Sequence, residues 1–448
     1  MTSRNLYCSL LKESMKRRLW NIALIFLSFF FVLPVAMIYS MGEQRSFDTE
    51  VQWLEYKIRQ ASNLVSVNNG ILVFVMITFA VICGISSFSF LHSRKKTDFY
   101  HSLPIRRETW FWVNFVSGVL MTALIYGLHL VIACAVAGIN GVPMGELMQT
   151  AALGYAFHMV YFFLMYTVVV IAMMLTGNLV VAVLGVSQFF VYGIFLLGMI
   201  LNYFSIWFVT YFTRSGEGLT EWMYRLSPAA AYIHGMYVFE EEQRIAGTLL
   251  IPLAVTAVGI AVALWLYTKR PSEAAGKALA FSRTQSVIRC MIVVLCGMIG
   301  IWFFWQLRAR TSWAVFGLLC GCVISHCTIE IIYHFDFRKL FSHKIQLAGC
   351  MVLTFLIFGC FRFDWFGYDT YVPDAGQVES IALRVDGDTD YDLYNVPEWM
   401  ERSGGYYYWS SNPNQFIKEH MILTDVEPVL KIVQAGIDRN QRRQEELG

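Results

Sequence analysis

Cys322, His326, Glu330 and His334 recur at every fourth position inside one long apolar run, so on a helix all four fall along a single face. Imidazoles and a carboxylate at that spacing could share a metal ion or pass a proton, and ionisable groups within a membrane span are costly enough to mark functional sites. Glu330 and His334 lie near one end of the run, however, where water and Arg338 could satisfy them. The face is therefore read as a polar site of His326, Glu330 and His334 held by structural or interfacial pairing, and no metal is assigned to it. His129 and His158 stand alone in other apolar runs without a second ligand at metal spacing. With Asn178 and Asn202 they are expected to hydrogen-bond between helices.

Other chemistry is thinly represented. No Gly-x-x-x-x-Gly-Lys-Ser/Thr phosphate loop occurs, so the chain lacks the usual cradle for the phosphates of ATP. Asp386, Asp388, Asp390 and Asp392 resemble part of a calcium loop, but Tyr391 takes the glycine position and Pro397 that of the bidentate glutamate. An acidic turn following a strand-like 381–385 is expected instead. Tyr406 to Trp409 could form a strand or touch membrane or ligand, and 426–443 reads as helix.

The elements that must position these groups are transmembrane. Of 448 residues 57% are hydrophobic and 15% charged, with a mean hydropathy of +0.52, which excludes an ordinary soluble domain. Runs able to cross about 30 Å of hydrocarbon are read at 19–40, 71–91, 110–136, 153–175, 179–204, 249–267, 290–307, 312–333 and 345–361. They must be helices, because a lipid-exposed segment has to satisfy its own backbone and no barrel-like alternation is present. The first run is too long for a signal-peptide core and is read as a retained anchor. The ten cysteines imply no disulfide framework.

Basic residues set the expected orientation. Lys12, Lys16, Arg17 and Arg18, then Arg94 to Arg107, then Lys269, Arg270, Lys277 and Arg283, then Arg338, Lys339 and Lys344 fall in alternate connections, while 137–152 has no Lys or Arg. The bias is not clean, since Arg45, Lys57 and Arg59 fall in the first opposite loop, Arg214, Arg225 and Arg244 in 205–248, and Arg308 and Arg310 in a short turn. The N-terminus is thus expected in the cytoplasm and, with nine spans, the C-terminus outside. From Gly367 onward fifteen acidic and seven basic residues leave a tail at −8, so the preceding part carries +10 of the whole-chain +2. That suits an inner face meeting anionic lipid. Leu6, Leu10, Leu11, Met15 and Leu19 recur at helical spacing, as in a helix over 1–18 lying at the interface or touching a cytoplasmic partner, the alternative being a basic segment that only sets topology.

The fold class read from this pattern is an all-α polytopic membrane protein of about nine transmembrane helices with a small acidic α+β extracytoplasmic C-terminal segment. Its divisions are an interfacial helix at 1–18, six spans at 19–285, three more at 286–365 and the tail at 366–448.

One connection has more than a linker needs. Between two charge-free runs, Asp98, Phe99, Tyr100, His101, Leu103, Pro104, Ile105, Arg106, Arg107 and Glu108 combine apolar side chains with a polar rim. The stretch Tyr100 to Glu108, together with Tyr267 to Gly276 after the sixth run, resembles the matching segments of permease subunits of bacterial ATP-binding-cassette (ABC) exporters of the type-2 family, over about residues 1–285. The resemblance implies that the Asp98–Glu108 loop is a coupling helix docking on a separate ATP-binding subunit, which holds ATP and Mg, and that the core pairs with a second permease subunit, identical or not. The chain itself would bind no cofactor, catalyse no reaction and contact lipid but no nucleic acid. Its apolar spans favour amphipathic or lipid-like cargo such as a drug or antimicrobial peptide. The alternatives are a membrane enzyme or receptor using the eighth-span polar stripe, and an ion-coupled carrier.

Overall fold

The computed structural model describes residues 3–42, 50–211, 222, 224–241, 245–334, 336–382, 400–403, 406–409 and 421–447. Among these, nine helices are long and apolar enough to cross a membrane, as the hydropathy pattern predicts. Their order is α1 (Ser3–Lys16), α2 (Leu19–Phe30), α3 (Ala36–Gly42), α4 (Glu50–Val65), α5 (Gly70–Phe88), α6 (Arg94–Ser102), α7 (Arg107–Ile139), α8 (Met144–Leu175), α9 (Leu179–Trp207), α10 (Pro228–Glu241), α11 (Ile245–Lys269), α12 (Ser282–Leu307), α13 (Thr311–His334), α14 (Lys344–Arg362) and α15 (Val426–Leu447).

The first span runs from α2 to α3 through a π-helical stretch at Phe31–Val35, where Pro34 lacks the N–H that a regular ladder needs. Ile25, Phe29, Leu33, Met37 and Met41 still recur at every fourth residue along its buried face, and the Phe29 ring packs 5.2 Å from Tyr126 and 6.0 Å from Phe79.

Two connections differ from the sequence reading. Residues 50–65, read as part of a loop, form the amphipathic α4, whose polar outer face hides it from a hydropathy window. The expected 137–152 connection shrinks to Asn140–Pro143, turned by Gly141 at φ +90°. Consequently α7 and α8, of 33 and 32 residues, are each about 50 Å long, well beyond the roughly 30 Å of hydrocarbon. In α8, 72% of the apolar window is buried against 22% in α11, so α8 is an interior helix while α11 keeps most of that window exposed.

Helices α12 and α13 form a hairpin whose backbones nearly touch. A Cβ on Gly300 would run into the carbonyl oxygen of Gly317, one on Gly317 into that of Gly300, and one on Gly321 into that of Cys296. Small residues allow this approach, which maximises dispersion where lipid leaves no hydrophobic drive between helices.

These helices belong to a first compact unit, 1–202 with 214–358; a second comprises 203–213 and 359–448. In the second, Asp369 accepts hydrogen bonds from the Val209 and Thr210 amides at 3.0 Å each, and Phe208 stacks on Tyr368 at 4.8 Å. Ile381 forms an isolated bridge with Leu423. Strands β1 (Met400–Ser403) and β2 (Tyr406–Trp409) pair antiparallel, but among the described residues no third strand joins them, and two short strands do not make an independent sheet. The expected α+β tail is therefore unsupported. Asp386 to Asp392 and Pro397 lie outside the described residues.

Replacing Gly317 by Leu should force α12 and α13 apart and cost about 1–3 kcal/mol, read as a lower unfolding midpoint in a fixed detergent; Gly247→Leu, in open space, should not.

Candidate functional site

Two polar constellations emerge in the first unit. The first surrounds the predicted coupling segment. Its residues fold as α6 and an extended turn to α7, and they brace against the segment after α11. Arg94 Nε donates to the Ala275 carbonyl at 3.1 Å, Arg107 Nη1 to that of Arg270 at 3.1 Å, and His101 Nδ1 lies 3.0 Å from Ser272 Oγ. The two segments singled out by resemblance thus meet, although more than 160 residues separate them.

Behind this contact, buried Arg270 donates Nη1 to the carbonyls of Met173 and Met174, at 2.9 and 2.6 Å, and Nη2 to that of Leu91 at 3.1 Å. It therefore caps the C-terminal end of α8, where carbonyls lack intrahelical donors and the helix dipole favours a cation. Burial pushes its pKa down to about 10, which leaves it charged at neutral pH. The following residues zip onto the α8–α9 connection through Gly276 N to Gly177 O at 2.7 Å and Ala280 N to Leu175 O at 2.8 Å. Burial, then Arg107, holds the His101 imidazole below its ordinary pKa, so it is neutral at pH 7.

The apolar surface expected on this loop is largely turned inward. Tyr100 sits between Phe90 and Trp110, with ring centroids at 4.7 and 5.0 Å, and its hydroxyl accepts from Arg17 at 2.9 Å. Leu103 and Ile105 pack against the core. Phe99 remains 54% exposed, and Lys95, Lys96, Asp98, Pro104, Arg106 and Glu108 of the same segment are exposed as well. Arg18, which reads as a surface topology signal, is buried and donates to Ser14, Ser87 and Ser117. Helix α1 thereby seats on α7, with Ser14 Oγ also 3.2 Å from Asn114 Oδ1.

The second constellation gathers on α13. His326, Glu330 and His334 share one face as expected, but Cys322 is absorbed elsewhere, its thiol toward Thr354 and the Val293 carbonyl. The partner of Glu330 is Arg289 of α12, at 2.7 Å with both side chains essentially inaccessible, rather than Arg338. His343, at the start of α14, lies 3.2 Å from Glu330 Oε1, and Gln346 accepts from Arg289. His326 Nε2 is 2.9 Å from the Ser342 carbonyl. Sequence reasoning missed Arg289, His343 and Gln346; Arg289 falls one residue before the run read as a span, the position where a counter-charge for a buried Glu should be sought.

The isolated polar residues divide. His158 bridges helices through Tyr232 and the Ser66 carbonyl, as expected. His129, Asn178 and Asn202 instead bond locally, to the Ile125 carbonyl, the Val180 amide and the Gly198 carbonyl, because neighbouring backbone groups lie within their short reach.

No protein-family model, curated protein or solved structure matches this chain.

Removing one partner of a buried ion pair strands the other charge. Arg289→Met should cost about 3–5 kcal/mol, and pairing it with Glu330→Leu should recover most of that loss; unfolding midpoints of the single and double variants in one detergent measure both. Arg270→Met should cost about 1–3 kcal/mol by orphaning carbonyls at the α8 terminus, read in the same assay.

Proposed function

We propose that the chain is the transmembrane permease subunit of an ATP-driven ABC transporter of the type-2 kind, in a bacterial cell membrane, with its N-terminus cytoplasmic and its C-terminus outside. The supporting observation is α6: a short, exposed, basic helix between two spans, presenting Phe99 on a base tied to the segment after α11. Phe99 would enter a pocket of a separate ATP-binding subunit carrying ATP and Mg, while Asp98, Arg106 and Glu108 would form the polar rim.

Closure of that motor on ATP would push α6. Arg94 and Arg107 would pass the displacement to residues 270–276, and Arg270 would carry it to the end of α8, the interior helix. A second permease subunit, identical or not, would complete a path for an amphipathic or lipid-like compound, a drug or an antimicrobial peptide. Hydrolysis would belong to the motor, leaving this chain without a catalytic role.

Co-expression with ATPase genes from the same locus tests the reading. An ATPase should co-purify, and Phe99→Asp should weaken its retention by roughly tenfold or more, as expected of an anchor side chain, with the permease still monodisperse. Retention unchanged by Phe99→Asp, or labelling of Phe99→Cys by an impermeant thiol reagent from outside the cell, would refute it.

A further inference from the structure

We infer that Glu330, His334 and His343 form a binding site for a divalent transition metal, best matched by Zn²⁺. One ligand atom from each lies within 4.8 Å of the others. Two imidazoles and a carboxylate are a set that zinc accepts, leaving a fourth position for water. Neighbouring ligand atoms around tetrahedral zinc stand about 3.3 Å apart, given bonds of about 2.0–2.1 Å. His334 Nε2 is 3.3 Å from Glu330 Oε2, and His343 Nδ1 is 3.2 Å from Oε1.

The carboxylate supplies an independent indication. Oε1 pairs with Arg289 at 2.7 Å, whereas Oε2 is buried and accepts no hydrogen bond among the described residues, with His334 Nε2 3.3 Å away. A buried carboxylate oxygen that accepts no hydrogen bond is costly, and a cation between it and the neighbouring imidazole nitrogen would relieve that cost. Glu330 is fully buried, while the His334 and His343 side chains are 27% and 43% exposed. The ion would therefore reach the site from the imidazole side, and the fourth position faces that side as well.

The supports resemble those of a ligand set. Arg289 of α12 holds the carboxylate and is itself held by Gln346 of α14, as outer-shell partners do. The guanidinium also adds positive charge, so binding should be weaker than at a closed thiolate site. His343 has φ +57° while its carbonyl accepts from the Gln346 amide at 2.9 Å as α14 begins. A left-handed conformation in a non-glycine residue is one that surrounding interactions must sustain. His326 stays outside the set, its Nε2 being used by the Ser342 carbonyl. Bound zinc would clip the end of α13 to the start of α14.

The test uses the full-length chain in detergent, without a polyhistidine tag, stripped with EDTA, reloaded with Zn²⁺ and desalted. Mass spectrometry should find about one zinc per chain, and Co²⁺ loading should give the visible absorption of a tetrahedral site that Zn²⁺ then quenches. His334→Ala and His343→Ala should each weaken retention by at least the roughly tenfold expected for even a supporting residue, with His129→Ala unchanged. The site is overturned if the wild-type chain retains no zinc above an EDTA-kept sample, or if a variant carrying both His334→Ala and His343→Ala retains as much as wild type. Should the variants fail to fold, wild-type zinc content and the Co²⁺ spectrum still decide. Neither depends on whether an ATPase associates with the chain.

Discussion

A polar group removed from water into hydrocarbon must find its partner inside the protein, and this one requirement organises the chain. It makes the nine long apolar segments helical, and it governs three buried arginines, each held by a different chemistry. Arg18 is held by serine hydroxyls, Arg270 by the terminal carbonyls of a helix and Arg289 by a carboxylate. In each case the guanidinium joins elements distant in sequence, because its planar fork offers several donors in fixed directions. A lysine at Arg270 could not reach both ends of that contact with the same geometry.

The consequence for function lies in connectivity. Under the proposed reading, α6 is mechanically useful because it is not an isolated loop. Its hydrogen bonds end on residues 270–276, and those in turn grip the α8–α9 connection. Inward-turned Tyr100, Leu103 and Ile105 supply stiffness rather than contact area, leaving Phe99 as the apolar anchor. A small displacement of such a braced element moves the packed helices behind it, since close-packed interiors transmit strain rather than absorb it.

The nine spans were legible because lipid imposes a crude, length-based code that hydropathy alone reads. Features that depend on tertiary partners were not. Helix α4 carries Glu50, Glu55, Lys57 and Arg59, whose charges interrupt any apolar run, and so resembles a loop. The ends of α7 and α8 extend through residues that a hydropathy window assigns to a turn. For the polar cluster, helical spacing correctly placed His326, Glu330 and His334 together, yet Arg289 joins them from α12 and His343 from the turn before α14, through a packing that no local pattern encodes. Buried Arg18 shows the same limit in reverse: a cluster of basic residues before a span looks topogenic, but one member is a core residue.

The lengths of α7 and α8 make the molecule sensitive to the membrane around it. Helices of about 50 Å crossing a hydrocarbon slab near 30 Å thick must lean or project beyond it, and the balance shifts with lipid chain length. Because α7 begins at Arg107, immediately beyond α6, a change in its tilt would alter the angle at which α6 leaves the bilayer. Under the proposed reading, bilayer thickness would then act as a mechanical input to the same braced end of the bundle, supplied by lipid composition rather than by a bound molecule.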